Sequence, residues 1–195
     1  MSCEELCDSQ TTQTDQLSAA ERFSLKRSIL GMVASVVLAI LLFFAVTTFF
    51  RPTLTQGHSM APTLADGDCA IAAVFDYHPA HGDIVVIHDS HQQGKYIVKR
   101  IIGLAGDTIH IDFTTGAVTR NGVLLDEPYL PEPTTTPGDL LFPVVVPQGH
   151  VFVMGDNRNH STDSRTSYTG MIAQENIEGK VIFRFYPLDK IGGIH

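Results

Sequence analysis

Gly57-His58-Ser59-Met60-Ala61-Pro62-Thr63-Leu64 sets a serine between a glycine and a proline-containing turn. A serine projecting from a tight bend, followed by free backbone N–H groups, suits a nucleophile with an oxyanion donor beside it. The same residues also fit an ordinary turn. His58 is a poor base for Ser59, because adjacent side chains in extended backbone point to opposite faces. A lysine of lowered pKa is another possible base, and Lys99 lies in Tyr96-Ile97-Val98-Lys99-Arg100-Ile101-Ile102. On a strand, Ile97, Lys99 and Ile101 share one face. An amine flanked by two isoleucines is desolvated, which disfavours its charged form and makes it a base near neutral pH. The pattern equally suits a lysine whose stem covers apolar surface while its head reaches water.

A third cluster, Gly155 to Arg165, has almost no apolar member and directly follows the apolar run His150 to Met154. Asp163 and Arg165 are spaced to pair and fix this loop, and the Ser161 hydroxyl can orient a neutral amine. The plain alternative is a solvated turn. His78-x-x-His81 and His88-x-x-His91 have ligand-like spacing, but no Cys accompanies them and the loops are polar. Solvated histidines and no metal are therefore expected.

These residues need a scaffold, and the pattern around them is β. Ile84 to Ile87, Tyr96 to Ile102, Thr108 to Phe113, His150 to Met154 and Lys180 to Tyr186 are short runs rich in Val, Ile and Phe, separated by turn residues. Asn121-Gly122 between Val118 and Leu124 predicts a hairpin. Asp126 to Pro147 holds six of the ten prolines and reads as a long loop. Outside the N-terminal region only a short turn near Ala173 to Ile177 suggests anything helical.

The N-terminal region is different. Ile29 to Phe50 runs for 22 residues without a charge. As a helix it spans about 33 Å, enough for a hydrocarbon core of roughly 30 Å. The sequence after it, Thr47 to Pro52, makes a poor cleavage site, so the segment reads as an anchor rather than a removed leader. Arg22, Lys26 and Arg27 precede it, whereas Arg51 is the only basic residue between its end and Lys95. The positive-inside rule then puts the N-terminus in the cytoplasm and the rest of the chain across the membrane. The organisation is a cytoplasmic tail over 1–27, a single transmembrane helix over 28–50 and an extracytoplasmic β domain over 51–195. Cys3 and Cys7 fall on the opposite side from Cys69, which excludes a bond between them. They read as spare thiols in a polar tail, with a metal or lipid site as the alternative.

The whole chain has 195 residues and a formal net charge of −8. The part beyond the span holds 16 acidic and 10 basic residues, so it is acidic by itself. That balance argues against a nucleic-acid partner, since phosphate is read through Lys and Arg.

In combination the motifs are specific: the sequence resembles the type I signal peptidases, membrane-bound serine proteases with a Ser-Lys dyad. The resemblance runs from the anchor to Ile191. It rests on Ser59 to Leu64, Gly82-Asp83-Ile84-Val85-Val86, Lys99 to Asp107 and Gly155 to Arg165, followed by Gly170 and Glu175 to Lys180. It implies a mostly β fold, an antiparallel β-sheet catalytic domain behind one transmembrane helix, with Ser59 as the acylating nucleophile and Lys99 as its general base. Ser161 matches the hydroxyl that hydrogen-bonds the lysine amine, and Asp163 and Arg165 match its supporting ion pair. The Ser59 backbone N–H matches one oxyanion donor. Some members add a hydroxyl two residues earlier, where this chain has Gly57. Ala105 stands where proline is usual. The implied substrate is a preprotein whose signal peptide ends in small residues, bound extended near Ser59 and Lys99, with Met60 and Val98 at its pockets. No cofactor is implied, and a monomer at the cell membrane is expected.

Nine residues from Phe50 to Ser59, at about 3.3 Å each, keep the serine within about 30 Å of the bilayer. Three rivals remain open from sequence. They are a self-cleaving Ser-Lys regulator, against which the anchor and acidic balance weigh; a silent membrane-anchored binding or assembly protein; and, within the protease reading, a peptidase specialised for one or a few substrates in place of the housekeeping enzyme.

Overall fold

The computed structural model describes residues 27, 28, 30–89 and 94–194. The expected tail, with Cys3, Cys7, Arg22 and Lys26, lies outside them, as does His91. The chain divides into two compact units, Met1–Thr47 and Thr48–His195.

α1 (Leu30–Phe49), which makes up most of the described first unit, carries no charge and buries none of its residues within the protein. The helix is long and apolar enough to cross a membrane. Its end falls one residue short of the sequence expectation, because Phe50 is the first residue of a strand.

The second unit is antiparallel throughout. Its strands are β1 (Phe50–Leu54), β2 (Cys69–Ala73), β3 (Ile84–His88), β4 (Tyr96–Gly103), β5 (Thr108–Asp112), β6 (Ala117–Arg120), β7 (Val123–Leu124), β8 (Val144–Val145), β9 (His150–Met154), β10 (Ile172–Ala173), β11 (Ile177–Tyr186) and β12 (Gly192–Gly193). The larger sheet runs β1-β2-β11-β3-β4-β9-β10, with β12 added beside β11, and the smaller runs β7-β6-β5-β8. Among the described residues of this unit only single 3-10 turns are helical, one of them at Gln174–Asn176 where a turn is expected.

Both faces of the larger sheet are covered, which explains why β3 is apolar without alternation. Ile84 and Val86 pack on one side with Met60, Leu64, Ala72 and Val181. Val85 and Ile87 pack on the other with Ile101, Val151 and Val153. A third core lies around Ile109, Val118, Phe152 and Met154 and joins the smaller sheet to β9. The Asn121-Gly122 hairpin forms as expected: Arg120 pairs with Val123, and the two turn residues have φ of 55° and 80°. Two positive φ values in a two-residue loop are the mark of a type I′ turn.

The expected strands are present with small changes at their ends. Five others were hidden. In β1, Pro52 tolerates strand structure because β1 is an edge that pairs only with β2. β2 is mostly alanine, a weak strand former, and is held by pairing with β1 and β11 on its two sides. β8, β10 and β12 have two residues each, too short to show any period.

Candidate active site

The turn after β1 carries Ser59 half-exposed and leads straight into the core at Met60. Gly57 has φ +85°, the left-handed region that glycine enters without strain. Its N–H donates to the Asp66 carboxylate at 2.7 Å. Lys99 sits mid-way along β4, opposite Val85 of β3, and is 4% exposed. Its Nζ lies 2.7 Å from Ser59 Oγ. Burial pushes the Lys99 amine down to about 8; Asp163 opposes that fall, Arg165 adds to it and Asp156 opposes it. A lysine with these properties is neutral often enough near pH 8 to accept a proton.

The polar loop after β9 holds the serine turn from below. Asn157 N–H donates to the Ser59 carbonyl at 3.0 Å, and its Nδ2 donates to the His58 carbonyl at 3.0 Å. His58 is thus engaged through its backbone. A Cβ on Gly155 would sit 2.3 Å from the Ser59 carbonyl oxygen and 2.4 Å from Ser161 Oγ. Only glycine lets the loop pass so close. Between these two residues, fully buried Asp156 accepts from Arg100 Nε and Nη2 at 2.8 and 2.7 Å and from Thr63 Oγ1 at 2.6 Å. Asp163 and Arg165 pair at 2.8 and 3.0 Å, and Asp163 also accepts from the Gly155 N–H at 3.0 Å. Arg165 reaches the carbonyls of Thr136, Arg158 and Ser161 as well.

Ser59 and Lys99 therefore meet in one cleft. Thr53 to Met60 line it on one side and Lys95 to Lys99 on the other, with His160 and Thr162 at its end. Val98 lines this cleft while packing against the core that contains Met60 and Val86. A second hollow, sharing Thr53, Leu54 and Tyr96 with the cleft, has Ala72 and Val86 among its lining residues.

Comparison with known proteins adds to this geometry. Residues 28–186 match the family model described as signal peptidase, peptidase S26. The chain belongs to the signal peptidase S26 family. Members similar to it include the probable signal peptidase I-1 of Synechocystis sp., 39% identical with 86% of each chain covered. Signal peptidase I U of Bacillus subtilis is 39% identical, with 82% of this chain and 88% of that one covered. A solved signal peptidase I from Enterococcus faecalis is 33% identical, with a TM-score of 0.45 over 53% of this chain and 97% of that chain. As a member of the signal peptidase family the chain is a serine peptidase, a hydrolase.

At this site two details differ from the sequence expectation. The Ser161 hydroxyl is buried but makes no hydrogen bond, so the expected bond to the lysine amine is not formed. The amine meets Ser59 Oγ, and Ser161 Oγ lies against Gly155, close to the Ser59 carbonyl. His81 is not merely solvated: its Nε2 meets Asp107 at 2.7 Å, and Asn121 holds the other carboxylate oxygen. Among the described residues no group of acidic, His or Cys side chains is arranged to hold a metal.

The sequence also left several supporting residues without a role. Arg100 and Asp156 stood inside quoted motifs, and an arginine at an inward position beside the base needs a buried acidic partner. That signal was available. Glu127 and Tyr129 gave none, since their loop shows no period.

Proposed function

We propose that this chain is a membrane-bound endopeptidase that removes N-terminal signal peptides from exported preproteins, with Ser59 as nucleophile and Lys99 as general base. The observation that carries the proposal is the 2.7 Å approach of the buried Lys99 amine to Ser59 Oγ, with the amine lowered to about 8. The neutral amine takes the Ser59 proton as Oγ attacks the scissile carbonyl carbon. The resulting oxyanion lies toward the Ser59 N–H; among the described residues no carbonyl accepts from that group. The lysine then gives its proton to the departing amine, freeing the mature chain and leaving the signal peptide as an ester on Ser59. Water, deprotonated by the same lysine, attacks that ester and restores the serine. Asp163 and Arg165 would hold the loop against the dyad, and Ser161 is assigned the orienting hydroxyl on its match to the family motif.

The substrate would lie extended in the cleft between the two lining segments, with small side chains toward Val98 and Met60. α1 would hold the enzyme in the cell membrane by a single pass, with the N-terminus cytoplasmic and the β unit outside, as the flanking charges indicate. Preproteins and lipid are the expected partners; neither nucleic acid nor a cofactor enters the mechanism, and a monomer suffices for it. The chain resembles signal peptidases across both the anchor and the β unit, which favours general preprotein processing over a specialised substrate or a silent assembly role.

The test is cleavage of several preproteins by the purified full chain in detergent. Ser59→Ala and Lys99→Ala should each abolish cleavage while preserving the circular dichroism spectrum. Undiminished turnover by either variant rejects the mechanism, and cleavage of only one preprotein moves the enzyme to the specialised class.

A further inference from the structure

The cleft accounts for the serine turn, β4 and the loop after β9, but not for a half-buried pair on the proline-rich loop, Glu127 and Tyr129. Glu127 grips Arg158 through both carboxylate oxygens, at 3.0 and 2.5 Å. Tyr129 donates its hydroxyl to Glu127 at 2.8 Å, and its ring lies 3.9 Å from the Arg100 guanidinium carbon. Arg158 and Arg100 are almost fully buried. Burial raises the Tyr129 phenol, and the Glu127 carboxylate raises it further, so the group stays a donor. Burial opposes the charge on Arg158, but Glu127 outweighs it and the arginine is held charged.

Each arginine reaches one point of the tripeptide that touches Ser59. Arg158 Nε donates to the Gly155 carbonyl at 3.1 Å, and Gly155 runs so close to the Ser59 carbonyl that no side chain fits there. Arg100 binds Asp156 through two nitrogens and the Gly82 carbonyl through a third at 2.8 Å. Asp156 in turn holds Thr63, four residues after the nucleophile. Glu127 and Tyr129 thus control both arms of the support under Ser59, and Arg100 is also the residue after the base. A guanidinium over a ring face is fixed in its plane, and a bidentate carboxylate pair fixes its orientation.

We propose that Glu127 and Tyr129 are positioning residues for the Ser59–Lys99 pair, acting through Arg158 and Arg100 on the Gly155–Asn157 tripeptide. The proposal rests on the dyad assigned above. Neither residue touches the reacting atoms. Without the ring and the carboxylate, the tripeptide loosens, the serine drifts from the amine, and water reaches Lys99. Displacements of about 1 Å at a reacting pair cost about a hundredfold in rate, and rehydration returns a buried amine toward its ordinary pKa.

The experiment measures kcat and KM against pH for the full chain in detergent, on a preprotein substrate, with thermal melting of every variant. Tyr129→Leu should lower kcat at least about tenfold with KM within about twofold, and should move the acid limb of the kcat profile upward. Tyr129→Phe keeps the ring over Arg100 and should recover most of the loss, so the order of kcat is Tyr, Phe, Leu. Glu127→Gln keeps the shape but removes the carboxylate charge that pairs with Arg158, and should act like the leucine variant. Should Tyr129→Leu not fold, the phenylalanine and glutamine variants decide. An unmoved acid limb together with unchanged kcat in folded Glu127→Gln overturns the proposal. So does a loss of activity that tracks only the fraction unfolded. Cleavage by Ser59→Ala under the same conditions rejects the dyad itself, a distinct outcome.

Discussion

As the proposed base, Lys99 must be buried enough to lose its proton, yet stay within reach of a serine that needs solvent access for its substrate. Its amine is lowered from the ordinary lysine value to about 8, with burial as the main cause. For the proposed dyad the expected consequence is a cleavage rate that rises with pH through about 8, because the protonated amine below that pH cannot accept from Ser59. The stability consequence has a definite sign. Below about pH 8 the amine is charged in both folded and unfolded chains, and the folded state bears the whole desolvation penalty. Between about 8 and the ordinary lysine range the unfolded chain binds the extra proton, so stability rises with pH across that window. A shift of this size corresponds to about 3 kcal/mol. Lys99→Met should therefore raise the melting temperature at pH 7 while abolishing cleavage, and its advantage should shrink as the pH approaches 10. Melting curves of the two proteins from pH 6 to 10 check this, and parallel curves would show that burial is not what lowers the amine. The two residues of the proposed dyad drew attention because each broke its local pattern: a serine in a glycine–proline bend, and a cation between isoleucines. Ser161 was legible as a hydroxyl near the site, but its rotamer is set by packing against Gly155 and no residue pattern encodes that.

β4 and the loop after β9 are joined by a pair that neither element reveals alone. Arg100 and Asp156 are 2% and 0% exposed, so each charge depends on the other. Such pairs add little net stability compared with apolar residues of the same volume, yet removing one partner is severe, about 3–5 kcal/mol. Arg100→Met should lower stability by about that amount, measured by urea unfolding, and should reduce cleavage per folded molecule as the Asp156 loop relaxes from the serine turn. Adding Asp156→Leu to Arg100→Met should recover part of the stability but none of the activity, because Asp156 also holds Thr63. Additive losses in that double variant would mean the pair does not couple the elements. At this scale legibility followed burial on two faces and turn chemistry. β3, β4 and β9 stood out as continuous apolar runs, and Asn121-Gly122 required its turn. β2 escaped because alanine has little preference of its own, and β1 escaped because its apolar residues merged with those of α1. Gly179 shows how close the hidden packing is: a Cβ there would lie 2.3 Å from the Ala73 carbonyl oxygen, where β11 crosses from β3 to β2.

The whole chain joins a helix that buries nothing inside the protein to a β unit that contains all three cores. β1 begins at Phe50 and its pairing with β2 extends one hydrogen bond further back, from Val74 N–H to the Phe49 carbonyl at 3.0 Å. Everything the β unit needs for its fold therefore lies from Thr48 onward. The chain begun at Thr48 should melt in one cooperative transition, within a few degrees of the full chain in the same detergent. It should also cleave a short soluble peptide at close to the full chain's rate, since Ser59, Lys99 and both arms of the support are present. Preproteins inserted in vesicles are a different case. There α1 would confine enzyme and substrate to one surface, and confinement raises effective concentration without any new contact. Removing it should lower cleavage of vesicle-bound preprotein at least about tenfold at nanomolar enzyme. Equal loss on the soluble peptide would show that the helix supports the fold, and equal rates of the two proteins on vesicles would show that it contributes no confinement. The apolar helix was legible because a 22-residue run without charge has few other uses; where the β unit begins was not, because it depends on where the cores close.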